Sequence, residues 1–372
     1  ARIMGVEPDS LEVDQPLSTF GLDSLLALEL KNNLEGRLDF TLPMAKLMEG
    51  PTITSLAQET ARLVIEGADN VERPVTLRAK SDEEWTPLFA LRPTGTRPVL
   101  VLLPALGGDV RYYAEIVQEL GDDQPVYAFR PRGIDEDMKP HQSMAEMMID
   151  YVAALRKLQP NGPYRLAGWS TGGIFAFALA EALEQAGQSV AFVALFDAPL
   201  PTICENLDPE DDAKFLCDLL NFANCLAGTN VRLDYDQLLT LTPDERFQTA
   251  LAEARRQGTV PVETPEAYIR RLVHVGEANV RAIQSYEPRL IAGQVHLFVP
   301  ATKGGLAEIS SRELPAVEDN GWTPEIGQSV ELHEVPGDHF TMLTGDAAAE
   351  IARQLSSLVS IESELKTLRA RS

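Results

Sequence analysis

Cysteine is scarce in this chain of 372 residues, with three in all, Cys204, Cys217 and Cys225. They are odd in number, lack metal-ligand spacing and share one helical-looking segment, so they read as small buried apolar side chains and not as a disulfide framework or a metal site. Positive charge is also in short supply. The 32 Lys and Arg against 56 Asp and Glu leave a formal charge of −24, which repels phosphate backbones and anionic lipid, so neither nucleic acid nor membrane is expected as a partner. No apolar run approaches the roughly 18 residues of a membrane helix, and Ala1-Arg2-Ile3-Met4 does not begin a signal peptide, so the expected location is cytoplasmic. Internal repeats and low-complexity tracts are missing as well. What is present is 44% hydrophobic residues in a length suited to two or three domains, enough to bury full cores.

One stretch organises the rest. Gly168-Trp169-Ser170-Thr171-Gly172 has the pattern Gly-x-Ser-x-Gly, preceded by a strand-like Pro163 to Ala167 and followed by a helix-like Ile174 to Gln185. This is the context of a nucleophile elbow, a sharp strand-to-helix turn that holds its serine in strained backbone. Side chains at Gly168 and Gly172 would collide with neighbouring backbone, and the start of the following helix favours an anion beside Ser170. The plain alternative is a glycine-rich turn with an incidental serine. Strands are expected at Val99 to Leu103, Val126 to Phe129, Tyr164 to Ala167, Val190 to Phe196, Val295 to Val299 and Val330 to Val335. Helices are expected at Arg111 to Leu120, Met144 to Leu158, Ile174 to Gln185 and Ala347 to Leu358. Such alternation predicts a mostly parallel sheet covered on both faces, an α/β-hydrolase-like fold. Between about 201 and 287 three helical segments interrupt it, an insertion at the carboxyl edge of the sheet where ligands bind.

Ser170 needs a base and an acid. Of His141, His274, His296, His333 and His339, His339 follows the last expected strand in the loop Pro336-Gly337-Asp338-His339-Phe340, the position that the chain order Ser, acid, His requires. His296 and His333 lie inside strands and read as structural histidines, His274 lies in the insertion, and His141 precedes the serine. For the acid, Asp197 ends the strand after the elbow helix, whereas Pro300 to Gly304 offers no carboxylate. Asp338 is a rival by proximity, and Asp197-Ala198-Pro199 could also be a simple turn. The oxyanion donors expected by position are the N–H groups of Thr171 and of Ala105, in the loop Pro104-Ala105-Leu106-Gly107-Gly108.

The first 66 residues read as a small all-α helical bundle, with a helix from Asp23 to about Leu34, a short one at Pro43 to Met48 and another at Thr52 to Glu66. Here Gly21-Leu22-Asp23-Ser24-Leu25, continued by Leu28-Glu29-Leu30, Leu42-Pro43 and Gly50-Pro51-Thr52-Ile53, resembles an acyl carrier protein. The resemblance implies 4′-phosphopantetheine on Ser24, installed by a phosphopantetheinyl transferase. A phosphodiester there would sit at a helix N-terminus, which favours negative charge. Residues 67–97 read as a linker. Only 23 residues precede Ser24 and no initiator Met is present, so an excised, N-terminally truncated piece of a larger polypeptide is expected.

Leu103-Pro104-Ala105-Leu106-Gly107-Gly108, the elbow, Phe196-Asp197-Ala198-Pro199 and Gly337-Asp338-His339-Phe340 together resemble the type I terminal thioesterases of modular polyketide synthases and nonribosomal peptide synthetases. By that resemblance, 98–372 is a thioesterase with a helical lid at about 201–287. It would release an acyl chain, handed on by upstream synthase modules of the same polypeptide, by hydrolysis or macrocyclisation. Asp-Ser-Leu with Leu-Glu-Leu leans toward the polyketide type of carrier. A free-standing lipase-like esterase would leave Ser24 unexplained, and the His-Gly-Gly-Gly loop frequent in such esterases is missing. A non-catalytic hydrolase-fold binding module would have no use for a full triad. No metal is expected.

Overall fold

The structure is a computed structural model that describes residues 13–20, 30, 51–58, 85–134, 138–262, 264–302 and 319–369, with the side chains of 18, 20 and 361–369 excepted. The chain divides into two compact units, Ala1–Glu84 and Trp85–Ser372.

In the first unit a 3₁₀ turn, Leu17–Phe20, lies next to an isolated antiparallel bridge between Pro16 and Thr52. Leu17 N–H donates to the Pro51 carbonyl at 2.9 Å, Thr54 N–H donates to Val13 at 3.0 Å, and residues 53–58 are helical. Leu17 and Leu56 are buried. Ser24 and the helix expected around it lie outside the described residues, apart from Leu30, which is helical.

The second unit is built on a seven-stranded sheet. Its strands are β1 (Leu88–Arg92), β2 (Leu100–Leu103), β3 (Val126–Phe129), β4 (Tyr164–Trp169), β5 (Val190–Phe196), β6 (Gln294–Pro300) and β7 (Glu331–Val335), in the spatial order β1-β3-β2-β4-β5-β6-β7. All neighbours run parallel except β1, which pairs antiparallel with β3. Strand β1 falls inside the stretch read as linker. It is short and flanked by prolines and charge, and its pattern shows no alternation, because an antiparallel edge strand with half-buried faces needs none.

Central strands are buried on both sides, as parallel sheets require. Val101 and Leu103 point into one core with Leu166, Val193, Leu195 and Leu297, while Leu100 and Leu102 point into the other with Ala167, Phe192, Phe196 and Phe298. Helices α1 (Ala114–Glu119), α2 (Met144–Leu158) and α3 (Thr171–Gln185) alternate with the strands. The insertion between β5 and β6 contains α4 (Asp212–Ala227), α5 (Tyr235–Leu239), α6 (Pro243–Arg256) and α7 (Glu266–Gln284). The five-residue α5 carries too little periodicity to be read in sequence. Helix α8 (Trp322–Ile326) precedes β7, and α9 (Gly345–Arg369) closes the chain. Residues of α2, α3 and α7 contribute to the first core, and those of α1 and α9 to the second. No helix among the described residues is long and apolar enough to cross a membrane.

Candidate active site

The sheet order decides which loops meet. β2 and β4 are neighbours, with Leu103 opposite Gly168, and β4 pairs with β5 so that Trp169 lies opposite Phe196. The loop after β2, the elbow after β4 and the turn after β5 therefore open side by side at the carboxyl edge, where the chain order reverses about β2.

At the elbow, Ser170 has φ 55° and ψ −131° and is followed at once by α3. A Cβ at Gly168 would overlap the Gly172 carbonyl, and one at Gly172 would lie 2.7 Å from the Leu103 carbonyl oxygen. The turn thus depends on both glycines, which lack that atom. Ser170 N–H donates to Phe196 at 3.0 Å and Asp197 N–H to Phe298 at 2.8 Å, so the ladder runs on past the strand ends. Asp197 also has a positive φ, 42°.

His339 and Asp197 are both buried, and His339 Nδ1 lies 2.8 Å from Asp197 Oδ2. His339 Nε2 is buried with no hydrogen-bond partner, the Ser170 hydroxyl included. Such bonds are often long without substrate and tighten in the complex. The indole of Trp169 stacks on the imidazole at 4.9 Å between centroids, and its Nε1–H donates to the His339 carbonyl at 2.9 Å. The residue before the nucleophile therefore braces the base.

Asp338 is occupied elsewhere. Its Oδ1 accepts from Phe340 N–H at 3.0 Å, Thr341 N–H at 2.9 Å and the Thr341 hydroxyl at 2.8 Å. Burial raises its affinity for a proton, but the donors of Thr341 and Phe340 outweigh burial and hold the carboxyl below its usual range. His141 is buried 2.9 Å from Asp150 Oδ2, and His274 is exposed on α7.

Of the two expected oxyanion donors, Thr171 N–H opens α3 and so has no intrahelical partner. Ala105 N–H is engaged: it donates to the Tyr112 hydroxyl. Two further anchors carry no sequence signal. Tyr113, fully buried, donates through its hydroxyl to the Leu103 carbonyl at 2.8 Å and accepts from Trp169 N–H at 2.7 Å, tying the end of β2 to the elbow. Asn279 of α7 donates to the Leu106 carbonyl at 2.7 Å, fixing the same loop from the insertion. Both contacts depend on tertiary packing, which no local pattern encodes.

A cleft partly open to solvent has Ser170, Thr171 and Leu106 on one side and Ile203, Leu207, Phe215, Leu219 and Phe222 on the other. Its lining is almost wholly apolar, and the one carboxylate on it, Asp218, pairs with Lys214 at 2.6 Å. Cys204 also lines the cleft. Burial pushes its thiol up to about 12, so it stays protonated and unreactive at neutral pH.

Among the described residues, His296, Glu331 and His333 are close enough to share an ion. His296 Nδ1 lies 3.0 Å from His333 Nε2 and 3.4 Å from Glu331 Oε2. They sit within β6 and β7 rather than at the strand ends that carry Asp197 and His339. His296 Nε2 is buried without a partner, so this histidine is less satisfied than a purely structural role implies.

A family model described as the thioesterase domain matches residues 98–359, and one described as the phosphopantetheine attachment site matches 1–59. The chain is 28% identical over 347 residues to aspulvinone E synthetase melA of Aspergillus terreus, covering 92% of this chain and 35% of that protein. It is 27% identical to a dimodular nonribosomal peptide synthase of Bacillus subtilis (strain 168), covering 92% of this chain and 13% of that one. It thus spans about a third or less of the length of these relatives. Among solved structures it resembles holo-AB3403, a four-domain nonribosomal peptide synthetase bound to AMP and glycine (TM-score 0.65, 23% identity, 96% of this chain, 25% of that chain). It also resembles the Vlm2 thioesterase domain (TM-score 0.52, 22% identity, 73% of this chain, 96% of that chain). These likenesses agree with the sheet in giving the second unit an α/β-hydrolase fold. The chain therefore belongs to the thioesterase domain family, preceded by a phosphopantetheine attachment domain, the pairing found in synthetases of the nonribosomal peptide and polyketide type.

Proposed function

We propose that this chain releases a finished acyl group from a synthetase by way of an ester on Ser170. The observation that supports this best is the 2.8 Å contact of His339 Nδ1 with Asp197 beside a serine in elbow geometry. With Nδ1–H donated to Asp197, the Nε2 lone pair is left free to act as the base. Nε2 takes the Ser170 proton as Oγ attacks the thioester carbonyl, and the oxyanion is received by Thr171 N–H and by Ala105 N–H once the latter parts from the Tyr112 hydroxyl. The C–S bond then breaks and the departing thiolate takes the proton from Nε2. Water, or a hydroxyl or amine of the acyl group itself, next attacks the ester carbonyl while His339 Nε2 takes its proton; the bond to Ser170 Oγ then breaks, Oγ receives that proton, and an acid or a ring is released.

In this reading 1–66 is a helical-bundle carrier, 67–97 joins the domains with β1 already part of the second, and α4 to α7 form the lid. A 4′-phosphopantetheine group on Ser24 would supply the thioester. Upstream modules and a phosphopantetheinyl transferase would be the partners, in the cytoplasm. The apolar cleft favours an acyl chain without charge near the reacting carbonyl.

The test is to treat the full chain with a phosphopantetheinyl transferase and acyl-coenzyme A and to follow both the loaded protein and the released product by mass. Ser24→Ala should take up no group, and Ser170→Ala should load yet release nothing. Products lighter than the acid by one water indicate cyclisation. Release at the parent rate from Ser170→Ala would sink the proposal.

A further inference from the structure

Three non-glycine residues among those described have positive φ: Ser170 at 55°, Asp197 at 42° and Asn320 at 52°. Residues with a Cβ enter this region at a cost and stay only where neighbours over-determine them, a condition concentrated at functional sites. The first two are the proposed nucleophile and acid. Asn320 belongs to neither the elbow nor the triad, yet its Nδ2 donates to Asp197 Oδ1 at 3.0 Å. Since Oδ2 faces His339 Nδ1 at 2.8 Å, both oxygens of this buried carboxylate are engaged, each by a different stretch of chain.

The segment around Asn320 is built as a bracket on the turn after β5. Asp319 accepts from Gly321 N–H at 3.0 Å and Thr323 N–H at 2.9 Å, which fixes the local turn. Trp322, wholly buried, donates its indole N–H to the Ala198 carbonyl at 2.9 Å, and Asn320 Nδ2 reaches the same carbonyl at 3.3 Å. The strained backbone thus aims the amide at Asp197 while the indole clamps the next residue.

We propose that Asn320 is a positioning residue for the release reaction, holding the Asp197 carboxylate turned toward His339. This rests on Ser170, His339 and Asp197 acting as the triad. A neutral donor suits the task. It favours the ionised carboxylate without a countercharge that would compete for it with the imidazolium formed during acylation. Without it, Oδ1 would be a buried oxygen short of a donor, and Asp197 would hold a proton on His339 more tightly. The other carboxylates nearby are committed, Asp319 to its own turn and Asp338 to Phe340 and Thr341.

The experiment is the second-order rate of labelling by a small fluorophosphonate probe, measured on the full chain from about pH 5 to 9. Asn320→Gly removes the amide while suiting the positive φ, so folding should persist. We expect labelling slowed about 10- to 100-fold, the loss of one hydrogen bond to a charged group, with the acidic limb of the profile moved to higher pH. Asn320→Asp should move the limb further, because a second carboxylate beside Asp197 adds negative charge that favours the protonated imidazole. Trp322→Phe breaks the neighbouring contact to Ala198 and should lower the melting temperature without moving the limb. The proposal is overturned if Asn320→Gly labels at the parent rate, or if it slows with its limb unmoved as a mere brace would. Labelling of Ser170→Ala would instead refute the nucleophile, a separate failure.

Discussion

The strand ends and the insertion both face Ser170, but different forces hold them. The turns after β4 and β5 grow from strands buried on both faces, and the turn after β7 from a largely exposed edge strand; they are locked by backbone ladders, the Tyr113 and Trp322 hydroxyl and indole bonds, and positive-φ residues. The insertion helices bury apolar residues such as Phe215, Phe247, Leu251 and Val280 against the first core and are tied to one another at the surface as well. Thr242 and Glu245 make a capping box on α6, Arg246 pairs with Asp212, Arg270 lies 2.8 Å from Asp244, and Arg281 lies 2.8 Å from Glu210. The exposed pairs, Arg270 with Asp244 and Arg281 with Glu210, are weak. The comparison teaches a division of labour. Chemistry stands on elements whose geometry is over-determined, while the apolar wall that meets the acyl chain stands on helices that can be altered without disturbing it.

The sharpest way to break that division is at Asp197. Asp197→Asn should leave the fold intact, since the amide is isosteric, yet slow acylation by about 10⁴-fold through loss of the tautomer that frees Nε2. Asp338→Asn should change the rate little and lower the melting temperature instead, because its carboxylate serves the Phe340–Thr341 turn. Stopped-flow acylation of both variants checks this. The opposite ranking would make Asp338 the acid.

A smaller effect is expected on the insertion side. Leu219→Ala widens the cleft, so the ratio of kcat/KM between acyl chains differing by one or two methylenes should shift by about 10-fold. Labelling by a probe too small to reach Leu219 should stay at the parent rate. A uniform fall for every substrate and probe would show that the wall and the chemistry are not separable.

How much of this was legible in the sequence follows the same division. The elbow could be read because Gly-x-Ser-x-Gly, a strand before and a helix after are all local. Asp197 could be nominated because it ends a recognisable apolar run, and His339 because it follows the last expected strand in the chain order Ser, acid, His. Strand β1 could not be read, since a half-buried edge strand between Pro87 and Pro93 lacks both alternation and a continuous apolar run. Asn320, Tyr113 and Asn279 were invisible for another reason. Each acts through a partner more than 50 residues away in sequence, and a single polar residue, whether on a helix or in a loop, has no signature of its own. Even Ala105 was only half legible, because position nominates its N–H while the Tyr112 hydroxyl that occupies it comes from packing.

Two of the buried histidines, His339 and His296, allow a subtler comparison of strand end with strand body. His296 is pushed down to about 4 by burial, with Glu331 pulling upward and His333 adding to the depression. Between that value and the ordinary imidazole near 6.5, the unfolded chain binds a proton that the folded chain refuses. Its contribution to stability is therefore present above about pH 6.5 and drains away as pH falls toward 4, by at most about 1.4 kcal/mol per pH unit. Urea unfolding of parent and His296→Asn across that window should show the parent losing stability more steeply. Parallel slopes would mean that His296 titrates alike in both states.

The smallest expected effect is the most direct probe of the insertion's independence. On α6 the Thr242 hydroxyl accepts from Glu245 N–H at 3.4 Å, while Glu245 accepts from Thr242 N–H at 2.9 Å, closing a reciprocal cap with Pro243 in the first turn. Thr242→Ala removes one side of that cap and should destabilise by about 1 kcal/mol, a fall of about 2–4 °C in Tm for a domain of this size. Helix α6 places no residue on the cleft and meets it through α4, whose Phe215, Leu219 and Phe222 line it, and through α7, whose Arg270 pairs with Asp244, so the pH profile and rate of probe labelling should remain those of the parent. If the rate falls in step with Tm, the cap is coupled to the nucleophile. The insertion would then have to be counted as part of the catalytic frame and not as a wall set against it.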